Sequence, residues 1–189
     1  MSIEQNEKHE SREQVVETVR RKRDLSGADL SGLDLTGIKL TGLNMEGADL
    51  SNANLEGAVL AAGNMAGVDL SGATLNGARI AAANMGGASL RGAQMRAAKI
   101  NAANLEGVDL TEADLSESSW FGVNVSGADF TDAQTTGARA SGVDWSQAKV
   151  PPAEIPEPMP TPPWLPALVA GIGLLVVVVI ILAKVRRRA

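Results

Sequence analysis

The sequence contains no cysteine, no tyrosine and a single histidine among its 189 residues. The absence of cysteine excludes disulfides, thiolate nucleophiles, zinc-thiolate centres and iron–sulfur clusters. The histidine, His9, has no second histidine with which to share a metal, so we interpret it as a solvated residue of the N-terminal segment. Aromatic residues make up only 3% of the chain, which disfavours the thick core of an ordinary globular domain. The composition therefore predicts no cofactor and no metal site.

Proline and charge are unevenly distributed along the chain. All eight prolines lie between Pro151 and Pro166, so the preceding 150 residues have none. The formal net charge of −5 comes from residues 24–150, which carry fifteen acidic and seven basic residues. The two flanking regions are weakly basic. The chain is therefore divided into a short polar N-terminal segment, an acidic central region and a proline-rich, apolar C-terminal region.

The central region has a bulky apolar residue at every fifth position. Helices give an apolar period of 3.6 and half-buried strands a period of 2, so a strict period of five indicates a repeat architecture. The first eleven members of the series are Leu25, Leu30, Leu35, Leu40, Met45, Leu50, Leu55, Leu60, Met65, Leu70 and Leu75.

Written around the apolar residue i, the repeat unit reads A(D/N)LxG, as in the segments 28–32, 53–57 and 103–107. This sequence resembles the pentapeptide-repeat family, and the resemblance covers residues 23–150. It implies an all-β fold: a right-handed quadrilateral β-solenoid with four pentads per coil, in which positions i and i−2 face inward. The residues agree, because a small residue at i−2 and glycine at i+2 suit a backbone that must bend. No pentad can bury its own apolar side, so stability must come from stacking of the coils.

Four pentads per coil predict a second period of twenty residues, and the outward position i−1 shows it. One column is asparagine and can form a ladder of side-chain amides between coils. A second column is mostly aspartate, and the column opposite it is mostly basic. Their members are Asn44, Asn64, Asn84, Asn104 and Asn124; Asp29, Asp49, Asp69, Ser89, Asp109 and Asp129; and Lys39, Val59, Arg79, Lys99, Ser119 and Arg139.

The outward residues supply a candidate surface for a protein partner. The aspartates either accept hydrogen bonds from nearby backbone amides or form a ligand surface. Between Leu70 and Leu105 the chain has four basic residues and no acid, and such a basic belt between acidic ends could orient a partner of complementary charge. Phe121 adds an outward aromatic residue. The candidate residues are Asp29, Asp49, Asp69, Asp109, Asp129, Arg79, Arg91, Arg96, Lys99 and Phe121.

Both ends of the predicted solenoid carry distinctive residues. Residues 1–22 form the N-terminal segment, in which Val15, Val16 and Val19 share one helical face and predict a short capping helix over the first coil. Near the other end Trp120 and Phe130 replace leucine at position i. Ala140 follows Trp120 by twenty residues, so the large and small side chains are expected to compensate for each other.

The C-terminal region predicts a membrane anchor. Residues 151–164 are interpreted as a semi-rigid proline-rich spacer, residues 165–185 as one transmembrane helix and residues 186–189 as a basic tail. Nineteen uncharged residues from Leu165 to Ala183 suffice to cross a bilayer. Ala167 and Gly171 form a small-xxx-small pair that predicts a homodimer. The interfacial anchor residues are Trp164, Lys184, Arg186, Arg187 and Arg188.

The predicted function is a membrane-anchored, non-catalytic scaffold whose solenoid faces bind an unidentified protein partner. A core filled by leucine and alanine offers no pocket for catalysis. The N-terminus begins no apolar signal segment, which favours a cytoplasmic repeat domain. One alternative is an exported, surface-anchored repeat protein. Another comes from the family resemblance: a DNA-mimicking protein that binds topoisomerases. Nucleic acid itself is not expected as a partner.

Overall fold

A computed structural model describes residues 11–160 of the chain. Within these residues it contains one α-helix, α1 (Arg12–Lys22), and seven short strands. The predicted transmembrane helix at residues 165–185, together with Trp164 and the basic anchor residues, lies outside this range. In order, the strands are β1 (Lys39–Thr41), β2 (Val59–Ala61), β3 (Arg79–Ala81), β4 (Lys99–Asn101), β5 (Ser119–Phe121), β6 (Arg139–Ser141) and β7 (Glu157–Pro158).

The seven strands form one parallel sheet in the order β1 to β7. From β1 to β6 the register advances by twenty residues per strand, so that Lys39 pairs with Val59 and Val59 with Arg79. Three further columns of single parallel bridges repeat with the same spacing, as in Asn44 with Asn64. The chain is therefore a parallel β-solenoid with four sides per coil, as the sequence predicted.

Each pentad forms a tight turn and is then joined to the next coil through its backbone. In the pentad of Leu50, the N–H of Ala53 donates to the carbonyl of Leu50 at 3.1 Å, while Leu50 itself donates to Asp69 in the next coil at 2.7 Å. Position i+2 has a positive φ, 64° at Gly57, which glycine adopts without cost. Ala82 takes the same conformation at 49°, so the fold imposes the turn even where the sequence lacks glycine.

The inward positions form a continuous apolar core. Position i is buried throughout, from Leu25 to Ala140, and alanine at i−2 is buried beside it, as at Ala48 and Ala53. No buried side-chain nitrogen or oxygen in residues 11–160 lacks a hydrogen-bond partner. The interior is thus filled by side chains, and its two polar residues, Ser118 and Thr135, are buried and hydrogen-bonded to backbone carbonyls.

The asparagine column forms the predicted ladder. The Nδ2 group of each asparagine donates to the Oδ1 atom of the one in the preceding coil. Distances are 3.2 Å from Asn64 to Asn44, 3.3 Å from Asn84 to Asn64, 3.0 Å from Asn104 to Asn84 and 2.8 Å from Asn124 to Asn104. The ladder therefore fixes one side of the coils in register.

Helix α1 covers the N-terminal end of the solenoid, as predicted. Ser11 caps it by accepting a hydrogen bond from Gln14, and Arg23 ends it in the left-handed conformation. Val15 is fully buried against the first coil, whereas Val16 is 47% exposed. Arg12 donates to the carbonyl of Thr36 at 2.6 Å. The helix is thus held to the coil by the apolar contacts of Val15 and Val19 and by a charged hydrogen bond from Arg12.

Three aromatic rings close the other end. Trp120 and Ala140 pair in register, as the sequence predicted. The Trp120 centroid lies 6.0 Å from Phe130 and 5.8 Å from Trp145. Trp145 lies in a single turn of 3₁₀ helix and was not predicted to join this cluster. The Trp120 Nε1 atom donates to Ser118 Oγ at 2.8 Å, so the ring is both packed and hydrogen-bonded.

The solenoid continues past Val150, where the sequence placed its end. Pro152 and Pro156 are buried, and β7 pairs with β6 through Arg139 with Glu157. Thr135 donates to the Glu154 carbonyl at 2.6 Å. Residues 151–158 therefore cover the last coil, which differs from the spacer expected for that part of residues 151–164. Proline suits this position because an outermost strand needs no N–H donor on its free side.

Within residues 11–160, no helix has the length and apolar character needed to cross a membrane.

Candidate functional site

The aspartate column occupies one side of the solenoid, which we call the Asp face. Its i−1 residues are half-buried, and their Oδ1 atoms accept the N–H of residue i+1 in the same pentad. The distances are 3.1 Å for Ser31 to Asp29, 2.8 Å for Ser51 to Asp49, 2.9 Å for Ser71 to Asp69, 2.9 Å for Thr111 to Asp109 and 3.0 Å for Thr131 to Asp129. The carboxylates thus hold the backbone before each turn, which is the first of the two roles considered from sequence.

Ser89 interrupts the aspartate column at its midpoint. It bridges to Asp69 on one side and to Asp109 on the other, and its hydroxyl lies 2.7 Å from that of Ser71. A neutral residue here relieves part of the repulsion between carboxylates stacked one rung apart. The Asp face is therefore a row of partly exposed negative groups with one gap.

Asp129 ends the row and is strongly stabilised as an anion. The hydroxyl of Thr131 donates to its Oδ1 at 2.6 Å, and Lys149 Nζ lies 3.0 Å from its Oδ2. The Thr131 hydroxyl first, then the Lys149 ammonium and the Thr131 backbone amide, lower the pKa of Asp129 from 3.8 to about 2. Hydrogen bonds from Ser26, Thr36 and Ser146 likewise lower the pKa of Asp24, Asp34 and Asp144.

Replacing Thr131 with valine should raise the pKa of Asp129 towards 3.8, because the largest stabilising contact is removed. A folded-state pKa below the unfolded value means that this carboxylate contributes stability that is complete above about pH 4 and is lost as the pH falls towards 2. In the variant this contribution should be smaller above pH 4, so less stability should be lost as the pH falls towards 2. Carbon-detected NMR titration of the carboxyl groups measures the shift. A larger rise in Lys149→Met than in Thr131→Val would contradict the assignment.

The basic belt of the sequence is divided between different sides of the solenoid. Arg91 forms an ion pair with Glu112 at 2.6 Å, and Arg96 pairs with Glu117. All four side chains are more than half exposed, so each pair contributes at most about 1 kcal/mol. These two arginines are therefore matched by acids of the next coil. The sequence contained the signal, because each acid follows its arginine by 21 residues and lies one coil further on and one position later.

Arg79 and Lys99 lie on the side formed by β1 to β6, which we call the strand face. The two are in register in neighbouring strands, with Lys39 and Arg139 further along the same column. All four are exposed, and none has an ion-pair partner within the described part of the chain. Phe121 is 56% exposed on β5 of the same face. The structure thus brings Arg79, Lys99 and Phe121 together on one face. It adds Lys39 and Arg139, which lie outside the basic belt defined from the sequence.

Charge is sorted by side as well as along the chain. Of the basic residues in 24–150, four of seven lie on the strand face, whereas all fifteen acidic residues lie on the other three sides. The Asp face is the side opposite the strand face within each coil. The solenoid therefore has one basic side and one side lined by carboxylates, and these are the two candidate binding faces.

Comparisons with known proteins concern mainly the repeat region. A family model described as "Pentapeptide repeats" matches in eight copies, over residues 24–57, 39–77, 53–92, 75–111 and 109–147. A comparison with curated proteins returns no significant match.

Several solved structures are similar. A trypsin-treated variant of QnrB1, a plasmid-mediated fluoroquinolone resistance protein, shares 28% identity over 65% of this chain and 65% of its own, with a TM-score of 0.44. The match thus spans slightly less than two thirds of that protein. HetL, a protein involved in heterocyst differentiation regulation from the cyanobacterium Nostoc sp. strain PCC 7120, shares 21% over 70% of this chain and 80% of its own, with a TM-score of 0.39. A protein of the Arabidopsis thaliana thylakoid lumen shares 22% over 71% and 72%, with a TM-score of 0.33.

Proposed function

Because this chain belongs to the pentapeptide-repeat family, we propose that it is a non-catalytic scaffold, anchored in a membrane through residues 165–185, whose solenoid presents a binding face to a protein partner. The observation that carries the proposal is the filled, regular interior, outside which the side chains at position i−1 are repeated at a fixed spacing of one rung. A solenoid of this kind offers extended surfaces in place of a pocket.

The Asp face is the surface that we assign to the protein partner. Its carboxylates are already oriented by backbone hydrogen bonds, so a basic partner would not have to order them on binding. The low pKa of Asp129 keeps that group ionised at physiological pH, which suits a permanent anionic surface and not a proton donor. The partner should therefore carry a row of basic groups.

The anchor rests on the composition of the tail. Nineteen uncharged residues precede Lys184 and the arginines at 186–188, which is the arrangement of a single-pass helix with a basic flank. The repeat domain is then tethered at its C-terminal end, with the solenoid on the cytoplasmic side. Close approach of two such helices through Ala167 and Gly171 would give a homodimer.

Charges placed inside the apolar segment test the anchor. The full-length double variant Val177→Arg/Val179→Arg should move from the membrane to the soluble fraction, because each arginine costs about 2.5–3.5 kcal/mol at the centre of a bilayer. The matched control Thr161→Arg/Ala189→Arg adds the same charge outside the segment and should stay in the membrane. Equal fractionation of both variants would contradict the anchor.

Protease accessibility tests the side of the membrane. With an N-terminal tag on the full chain, the repeat domain should be protected in intact cells and cleaved after the membranes are opened. Cleavage in intact cells would instead favour the exported, surface-anchored alternative.

The DNA-mimicking alternative has one observation in its favour. Arg91 and Arg96, which interrupted the acidic charge in the sequence, are paired with Glu112 and Glu117. The negative charge of the Asp face is therefore less interrupted by basic residues than the basic belt of the sequence suggested. Inhibition of a topoisomerase by the purified chain, abolished by Asp49→Asn/Asp69→Asn, would favour this function over the scaffold.

A further inference from the structure

We propose that the strand face docks onto the anionic headgroups of a lipid bilayer, so that the solenoid lies along the membrane and turns its Asp face away from it. This inference rests on the proposed membrane anchor and adds an orientation to it. It also separates the two candidate faces, one for lipid and the other for the protein partner.

The first support is the charge of the face. Lys39, Arg79, Lys99 and Arg139 occupy one column of the parallel sheet. They are two, one and two rungs apart, or about 10, 5 and 10 Å. No acidic side chain lies on this face from β1 to β6; Glu157 on β7 is the first. Because none of the four cations is paired with an acid in residues 11–160, their charge is available to phosphate groups.

The second support is the shape of the surface that the face presents. The column beside the cations consists mainly of small side chains, which leave the long lysine and arginine side chains as the most protruding groups. Its members are Thr41, Ala61, Ala81, Asn101, Phe121 and Ser141. A regular sheet from which mainly the basic side chains protrude suits a broad layer of lipid headgroups better than the uneven surface of a protein. Phe121, the exception, is an exposed aromatic residue of the kind found in membrane interfaces.

The third support is the short length of chain between the solenoid and the predicted transmembrane helix, which we call the tether. The chain leaves the solenoid at Pro158, in the last strand of the same sheet. Seven peptide units separate Pro158 from Leu165, so at most about 25 Å of chain connects the sheet to the start of the predicted span. A tether this short gives the face a high effective concentration at the headgroups, so a modest attraction is enough to dock it.

The absence of native cysteine makes the orientation measurable. Single cysteines at Ala61 and Ser51 place a fluorescent donor on the strand face and on the Asp face of the same coil, five coils from β7. The full-length chain is reconstituted into vesicles that carry a headgroup-linked acceptor. Docking predicts more energy transfer from position 61 than from position 51 on phosphatidylcholine vesicles containing phosphatidylglycerol, and equal transfer on phosphatidylcholine alone. A solenoid that stands on its tether would give equal transfer on both.

A matched pair of variants tests which cations are responsible. Arg79→Gln/Lys99→Gln removes two of the four strand-face cations and should lower the docking equilibrium constant about thirty-fold, at about fivefold per cation. Arg91→Gln/Arg96→Gln removes the same charge from other sides and should preserve the difference between positions 61 and 51. Equal effects of the two variants, or equal transfer from both positions in the unsubstituted chain on anionic vesicles, would overturn the proposal.

The outcome for docking is separable from the outcome for the anchor. If neutral vesicles fail to retain the full chain, the anchor is wrong, and the face is still tested by whether anionic vesicles recruit the chain with position 61 nearer the lipid. If the chain stays inserted without a difference between the two positions, docking is wrong and the anchor stands. Binding of the strand face to an acidic polypeptide, with no response to phosphatidylglycerol, would replace lipid with a protein as its partner.

Discussion

Replacing Val15 with aspartate should open the N-terminal end of the solenoid and lower its stability by about 3–5 kcal/mol. Val15 is fully buried between helix α1 and the first coil, where a carboxylate would have neither water nor a basic partner. For a domain of this size, that loss corresponds to a fall in melting temperature of about 10 °C. Thermal unfolding followed by circular dichroism measures it.

The same substitution at the next residue is the control. Val16 is 47% exposed, so Val16→Asp should change the stability by about 0.5 kcal/mol or less. Loss of the cap at Val15→Asp also uncovers β1, which begins the sheet and, within residues 11–160, has no neighbouring strand on its other side. Such an edge is prone to pair with another chain. Light scattering should therefore show association for Val15→Asp alone, and similar behaviour of the two variants would show that α1 is not a cap.

Replacing Trp120 with alanine should cost about 3–5 kcal/mol at the other end of the solenoid. The indole is fully buried and contacts both Phe130 and Trp145, and its neighbour in the next coil is the small Ala140. Ala140 cannot fill the space that the indole leaves, so the cavity should persist. Because coils are stabilised mainly by their neighbours, the last coils should unfold first.

Hydrogen exchange measures where the Trp120→Ala variant opens. Amides of β5 and β6 should lose protection, whereas those of β2 and β3 should keep it. Phe121→Ala provides the control, since that side chain is 56% exposed on the outer side of the same strand. Uniform loss of protection along the solenoid would mean that it unfolds as one unit and would contradict the local opening.

Features that repeat every five or twenty residues could be predicted from the sequence. The period of five follows from the geometry of one pentad, and it located the buried residues from Leu25 onwards. The period of twenty follows from the stacking of coils, and it predicted the asparagine ladder and the pairing of Trp120 with Ala140. These contacts join equivalent positions, so a register is enough to find them.

Contacts between non-equivalent positions were not apparent. The pairs Arg91 with Glu112 and Arg96 with Glu117 join position i+1 of one coil to i+2 of the next, and a comparison of like positions misses them. The basic residues were therefore interpreted as a belt along the chain, although the twenty-residue register already placed Lys39, Arg79, Lys99 and Arg139 in one column. The distribution of surface charge therefore depends both on the side of the solenoid on which a residue lies and on its position along the chain.

The proline-rich segment was misjudged for a different reason. Proline favours extended backbone and disfavours a central strand, so its composition alone indicated a spacer. An outermost strand has the same extended backbone and also tolerates a missing N–H, as at Pro158. Composition could not distinguish the two, because the difference lies in whether the last coil needs a cover.

Because each coil has four sides, the number of residues between two positions determines whether they lie on the same side of the solenoid. Deleting five residues between two coils would keep the leucines in phase but turn everything downstream by a quarter of a revolution, so that Arg139 and the chain exit at Pro158 would leave the side that carries Lys39. Deleting twenty residues would shorten the solenoid by one rung and keep both ends facing the same way. The number of pentads thus sets the angle between the two ends of the solenoid. Insertions or deletions in the repeats should therefore preserve function only in steps of a whole coil.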